Sequence, residues 1–141
     1  MIIETLSNGF LSNGLGGFMK LHGIKIDATL EAYLECMIWS EYDSNNDTLD
    51  KNYDFSHFSK ELIEKSINEL SSFEAEIHEK NLDDNLTSEQ IGHDFWLTRN
   101  GHGCGFWCRG LGEQGDKLTE IAHRFGELYC YVGDDGQLYI G

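Results

Sequence analysis

The residues with the greatest capacity for chemistry crowd into one run, from His93 to Gly110. It holds two of the six histidines, two of the four cysteines and two of the three tryptophans. Imidazole nitrogens and thiolate sulfurs are the ligands that zinc takes in a tetrahedral arrangement. His93, His102, Cys104, Cys108, His123 and Cys130 supply such donors within one segment. The spacing is not that of a standard finger, because no Cys-x-x-Cys pair occurs. His102-x-Cys104-x-x-x-Cys108 is a local alternative whose glycines leave its geometry open. The favoured ligands are His93 and Cys108, joined by His102 or His123. Cys104 fits core packing as well, and Cys130 falls in a strand expected to be buried. Four protein ligands would close the shell and make the zinc structural; three plus water would leave it open for catalysis.

Other chemistries have weaker support. Glu113, Glu120 or Asp94 could act as a general base at an open metal, but no His-Glu-x-x-His motif accompanies them. Cys108 with His102 could form a nucleophilic pair, without a surrounding signature. Gly101, Gly103 and Gly105 alternate, yet lack the strand-then-helix frame of a dinucleotide fingerprint. The loop Asp43 to Asn52 carries side-chain oxygens at alternate positions, but lacks the glycine and final glutamate of a calcium hand. It reads as a solvated loop.

The elements around these residues follow from periodicity and capping. Phe18 to Ile26 is expected as a short strand, as is Met1 to Leu6. Between them lie the near repeats Leu-Ser-Asn-Gly at 6–9 and 11–14, which favour turns. Asp27 can cap a helix whose apolar face is Leu30, Tyr33, Leu34, Met37 and Ile38. Cys36 lies off that stripe, as a small buried or bystander residue. Asp54 or Ser56 opens the longest helix, to about Lys80, on a stripe from Phe55 through Phe73 to Ile77. Its acids Glu61, Glu64, Glu69, Glu76 and Glu79 decorate the rest. His57 and His78 near its ends read as ordinary surface residues.

Thr87 with Gln90 forms a capping box, and Leu86 with Ile91 the hydrophobic staple beside it. They start a helix that Asn100-Gly101 can end through a left-handed cap. The rival is a hairpin turning at Asn-Gly, which would face His93 to Cys108. Two coincident start signals favour the helix. Asp116 can cap a last helix ending at Gly126. Leu128 to Val132 and Gln137 to Ile140, around Gly133-Asp134-Asp135-Gly136, make a hairpin. The expected fold is α+β: one domain, with helices packed on a small antiparallel sheet. A glycine-rich part spans 1–26, an acidic helical part 27–80 and the candidate metal-binding part 87–141.

Charge dominates the global picture. Twenty-five acids face ten bases, a formal net charge of −15 over 141 residues. Both halves are acidic, so no tail accounts for it. Such a surface repels nucleic acid and anionic membrane and attracts basic protein surfaces. No apolar run is long enough to span a bilayer, and Met1-Ile2-Ile3-Glu4 lacks the basic start of a signal peptide. The expectation is a soluble, intracellular protein whose cysteines are thiols or metal ligands.

The run Gly92-His-Asp-Phe-Trp-Leu-Thr-Arg-Asn-Gly-His-Gly-Cys-Gly-Phe-Trp-Cys-Arg-Gly-Leu-Gly112, followed by Leu118-Thr119 and Tyr131-Val-Gly-Asp-Asp-Gly136, resembles a family of small phage-encoded proteins. The resemblance covers roughly 87–141. In that family pattern Cys108 is often Asp, which leaves a metal role open there. The place of Cys104 is often a small apolar residue, which weakens its case. The whole is also similar to zinc-containing anti-CRISPR proteins that inhibit the RNA-guided type II nuclease. That resemblance implies a structural zinc and an action in the bacterial host cytoplasm. Its partner would be a basic effector nuclease whose DNA channel the acidic protein blocks. Glu61, Glu64, Glu69, Glu76 and Glu79 are the expected docking residues, without catalysis. The alternatives are a metal-dependent hydrolase and an acidic DNA mimic directed at restriction enzymes.

Overall fold

The computed structural model describes residues 19–141. The expected strand Met1 to Leu6 and the two Leu-Ser-Asn-Gly segments lie outside them. The fold is α+β. The order is β1 (Lys20–Leu21), β2 (Ile24–Lys25), α1 (Ala28–Ser40), α2 (Lys60–Glu79), α3 (Ser88–Asn100), α4 (Glu113–Arg124), β3 (Cys130–Val132) and β4 (Leu138–Ile140). Short 3-10 turns lie at Leu49–Lys51, Phe55–His57 and Phe106–Cys108. Two separate antiparallel pairs, β1–β2 and β3–β4, replace the single sheet expected. The stretch read as one strand up to Ile26 turns back on itself, because His22 and Gly23 both take the left-handed backbone of a tight hairpin turn.

Capping chemistry sets the helix starts. The Asp27 carboxylate accepts from the Leu30 amide at 2.8 Å, as the sequence suggested. The longest helix begins later than expected. Asp54 caps the separate turn Phe55–His57 in a box with His57, and Ser59 caps α2 by accepting from Leu62 at 3.0 Å. Between the two caps the chain is extended at Phe58, which bridges to Leu138. That bridge diverts the backbone from a continuous helix. Thr87 accepts from the Gln90 amide at 3.0 Å and starts α3. Gly101, at φ 65°, ends it, with the His102 amide bonded back to the Leu97 carbonyl at 2.9 Å. The helix therefore prevails over the hairpin across 93–99. Helix α4 starts at Glu113 rather than after Asp116. Gly112, at φ 62°, makes the sharp turn into it, and both acids sit in the first turn, where the helix dipole favours them.

The core follows from the faces these helices carry. α1 is buried on most of its circumference, Cys36 included, and makes its most extensive interface with α3. The rings of Phe73 and Phe95 stack at 4.2 Å, and Phe125 meets both edge-on. Burying each such side chain is worth about 1.5–3 kcal/mol. The Trp96 indole, fully buried, donates to Ser40 Oγ at 2.9 Å. The hairpin β3–β4 closes the other side, with Cys130 and Leu138 turned inward. Among the described residues no helix is long and apolar enough to cross a membrane.

Candidate functional site

The central run folds as a helix, a left-handed stop and a tight loop. Its polar residues turn inward. Asp94 is 1 % exposed and accepts two hydrogen bonds from Arg109, from Nε at 2.9 Å and Nη2 at 2.7 Å. His93 Nδ1 lies 3.2 Å from the same carboxylate. These bonds to Asp94 hold the Arg109 guanidinium above its ordinary pKa. One turn on, Thr98 Oγ1 accepts from the Phe106 amide at 3.1 Å. Gly105 is required there, because a side chain would overlap the Thr98 hydroxyl.

Arg99 is the second buried charge, at 2 % exposure. Nε donates to the Gly126 carbonyl at 2.8 Å and Nη2 to the Phe125 carbonyl at 2.9 Å, which terminates α4. Nη1 reaches the Tyr33 hydroxyl at 3.1 Å and the Glu69 carboxylate. The guanidinium carbon stands 5.2 Å from the Phe95 ring centroid. One side chain thus joins all four helices. Burial dominates over the Arg99 contact at Tyr33 and pushes its hydroxyl pKa well up, so the phenol stays protonated. Asn100 adds a further tie, donating to the Trp96 carbonyl at 3.0 Å and accepting from the Leu128 amide at 2.8 Å.

The expected zinc ligands do not converge. His93 turns to Asp94. His102 donates from Nε2 to Glu41, a buried carboxylate, at 2.7 Å. His123 lies exposed in the last turn of α4. His93 and Asn100 are two turns apart, about 10 Å along the helix, and His102 lies beyond. Cys108 is bonded to Cys104 as a disulfide. Among the described residues no three His, Cys, Asp or Glu side chains gather as a metal site would need. As arranged here, the described donors do not form a four-ligand zinc site: each imidazole of the run faces a carboxylate, and the two sulfurs of the run are joined to each other.

The disulfide also changes the reading of the cysteines, which were expected as thiols or ligands. Only Cys36 and Cys130 are free, and both are buried. Burial, with Asp94 and Glu41 nearby, pushes the Cys36 thiol up to about 12, and burial raises Cys130 further. Neither thiol is a nucleophile at neutral pH. Alkylation with iodoacetamide at pH 7.5 is therefore expected to label no cysteine of the native protein. Mild reduction should open two sites, Cys104 and Cys108, and unfolding in the absence of reductant should open the other two. Mass spectrometry counts the adducts, and labelling of Cys104 before reduction would contradict the pairing.

The acids of α2 divide. Glu61, Glu64 and Glu79 are exposed. Glu69 is committed to Arg99 and lies 3.5 Å from Lys65; Glu76 holds Lys80 and Arg124. Two of the five expected docking residues thus serve the fold. A different row carries unneutralised charge. Asp27, Glu31 and Glu35 are spaced four apart along one side of α1, and Glu89 in the first turn of α3 stands close by. None of the ion pairs among the described residues involves these four. Partial burial, then repulsion from Glu35 and Glu89, raises the Glu31 pKa. Glu74 on α2 is raised by burial and by Asp27, which extends the row to a third helix. Sequence reading placed the acidic face on α2 alone; the four-residue spacing of Asp27, Glu31 and Glu35 was the available signal. In the loop before α2, Asp43 instead shapes the backbone, accepting from the Asn45 and Asp47 amides at 2.8 and 3.0 Å.

No family model, curated protein or solved structure matches this chain.

Proposed function

We propose that this protein is a binding inhibitor that docks by a carboxylate face on a basic, nucleic-acid-binding protein of a bacterial host. The observation that carries the reading is the row Asp27, Glu31, Glu35 and Glu89, joined by Glu74. Partial burial, then the neighbouring carboxylates, raises Glu31 and Glu74, and no member of the row has an ion-pair partner among the described residues. Like charges left adjacent cost stability, and a basic surface would relieve them. The net charge of −15 steers association in the same direction. The buried ionic groups of the central run brace the helices that present this row. Binding without turnover is the expected activity.

The RNA-guided type II nuclease is the partner of choice, because its guide and target channels are strongly basic. It would be engaged in the host cytoplasm, and occupation of the channel would block loading of target DNA. Exposed Glu61 and Glu64 in the first turns of α2, with Glu79 at its far end, are the other acidic set. Charge reversal separates the two. Changing Glu31, Glu35 and Glu89 together to Lys is expected to weaken binding of the guide-loaded nuclease by about tenfold or more at low salt. The triple change of Glu61, Glu64 and Glu79 is expected to cost less. Unchanged affinity in the first variant, measured by interferometry, would overturn the assignment of the face. Restriction enzymes assayed in parallel test the DNA-mimic alternative.

A further inference from the structure

Beside the carboxylate row, between α1 and α3, the surface opens into two adjoining hollows that share Glu35 and His93. The first, of about 430 Å³, has Cys36, Ile38 and Phe55 beneath it and Trp39 and Asp50 at its edge. The second, of about 510 Å³, runs from Ala32 to Glu89 and the Asp94–Arg109 pair. Trp39 is 58 % exposed, with its ring centroid 6.2 Å from that of His93. The cationic groups at the groove are already committed. Arg109 forks Asp94, and His93 faces the same carboxylate. Glu35 and Glu89 have no ion pair among the described residues, and Asp50 takes only the Thr48 hydroxyl. The groove therefore combines an open indole face, an apolar floor and three carboxylates.

An indole face attracts a cation, and a planar guanidinium can stack on it while its edge forks a carboxylate. Ammonium lacks that second fit. We propose that this groove receives an arginine side chain of the protein partner, stacked on Trp39 and held by Glu35 together with Glu89 or Asp50. The inference rests on the docking reading above and names its contact chemistry. It assigns Trp39, an apolar residue outside the acidic row, to the interface.

The probe is the peptide acetyl-Gly-Arg-Gly-Arg-Gly-amide, titrated into the ¹⁵N-labelled full chain. Its control carries citrulline, a neutral isostere, in place of arginine. The arginine peptide is expected to shift the Trp39 indole resonance while leaving that of Trp107, which is 57 % exposed, in place. The citrulline peptide is expected to leave both. In Trp39→Ala, affinity read at the Glu35 and Glu89 amides is expected to fall roughly threefold or more. Equal shifts with citrulline, an undiminished affinity in Trp39→Ala or silence at millimolar peptide would each overturn the proposal. Peptide binding at Trp39 with no nuclease binding would instead retain the groove and remove the docking reading. Nuclease binding undisturbed by Trp39→Ala would do the reverse.

Discussion

Replacing Arg99 by methionine is expected to destabilise the protein by about 3–5 kcal/mol, the range for breaking a buried ion pair from one side. The substitution keeps much of the aliphatic volume and removes the charge. It leaves the Tyr33 hydroxyl and the carbonyls of Phe125 and Gly126 without their donor, and the Glu69 carboxylate with Lys65 alone. Uncompensated buried acceptors, more than a lost attraction, set the cost. Lysine should recover only part of it, because one ammonium cannot reach acceptors on three other helices and their flanks at once. Adding Glu69→Leu should restore a small part by removing a carboxylate that then faces only Lys65, while the two carbonyls stay unpaired. Urea unfolding followed by circular dichroism measures all three variants. A loss under about 1 kcal/mol in Arg99→Met, no more than an ordinary hydrogen bond, would contradict the role given to this side chain.

The next largest effect is expected at Gly92. In the middle of α3 this residue lies against the backbone of α1. A Cβ there would overlap the Thr29 carbonyl oxygen and stand 2.9 Å from the Tyr33 amide nitrogen. Backbone cannot rotate away as a side chain can, so the two helices must separate. Gly92→Ala is expected to cost about 3 kcal/mol, at the upper end for overpacking, although alanine favours helix by about 1 kcal/mol over glycine. Separation of α1 from α3 would also widen the groove beside Trp39 and shift Glu89 from Glu35. The variant should therefore lose nuclease affinity at temperatures where it remains folded. A stabilised Gly92→Ala would show that the close approach of α1 and α3 is wrong.

Local signals carried much of the fold. Asp27, Thr87 with Gln90, and Asn100-Gly101 each satisfy backbone groups within a few residues, so their meaning is fixed by the chain nearby. The hairpin around Gly133 to Gly136 is local in the same sense. What the sequence did not disclose depends on residues far apart. Ser59 prevails over Asp54 as the start of α2 because Phe58 bridges to Leu138, at the other end of the chain. The pairing of Glu69 with Arg99 spans thirty residues, and nothing local separates Glu69 from its exposed neighbour Glu64.

The central run shows both cases. Ile91, Phe95 and Arg99 fall four apart, one ridge of a helix. That spacing was available, but the sequence reading assigned Arg99 no role, and its burial comes from the structure. The chemistry of the histidines and cysteines was not legible. A Gly-Cys-Gly loop leaves sulfur geometry open, and the fold closes it as Cys104–Cys108. His102 meets Glu41 across sixty-one residues. Residue types suited to zinc are here distributed among carboxylates and a disulfide, and the candidate interface lies on a row that needed the α1–α3 packing to bring Glu89 beside Glu31 and Glu35.

If the acidic face blocks a basic nuclease as proposed, the block is read directly on the nuclease's own reaction. The most direct measurement is target-DNA cleavage by a guide-loaded type II nuclease, with and without near-stoichiometric purified protein, over rising salt. Exposed ionic contacts are screened within about 8 Å at physiological ionic strength and within about 3 Å at 1 M. The predicted result is inhibition at low salt that fades as salt rises, with no product formed by the protein itself. Undiminished cleavage by several such nucleases at low salt would contradict the proposal.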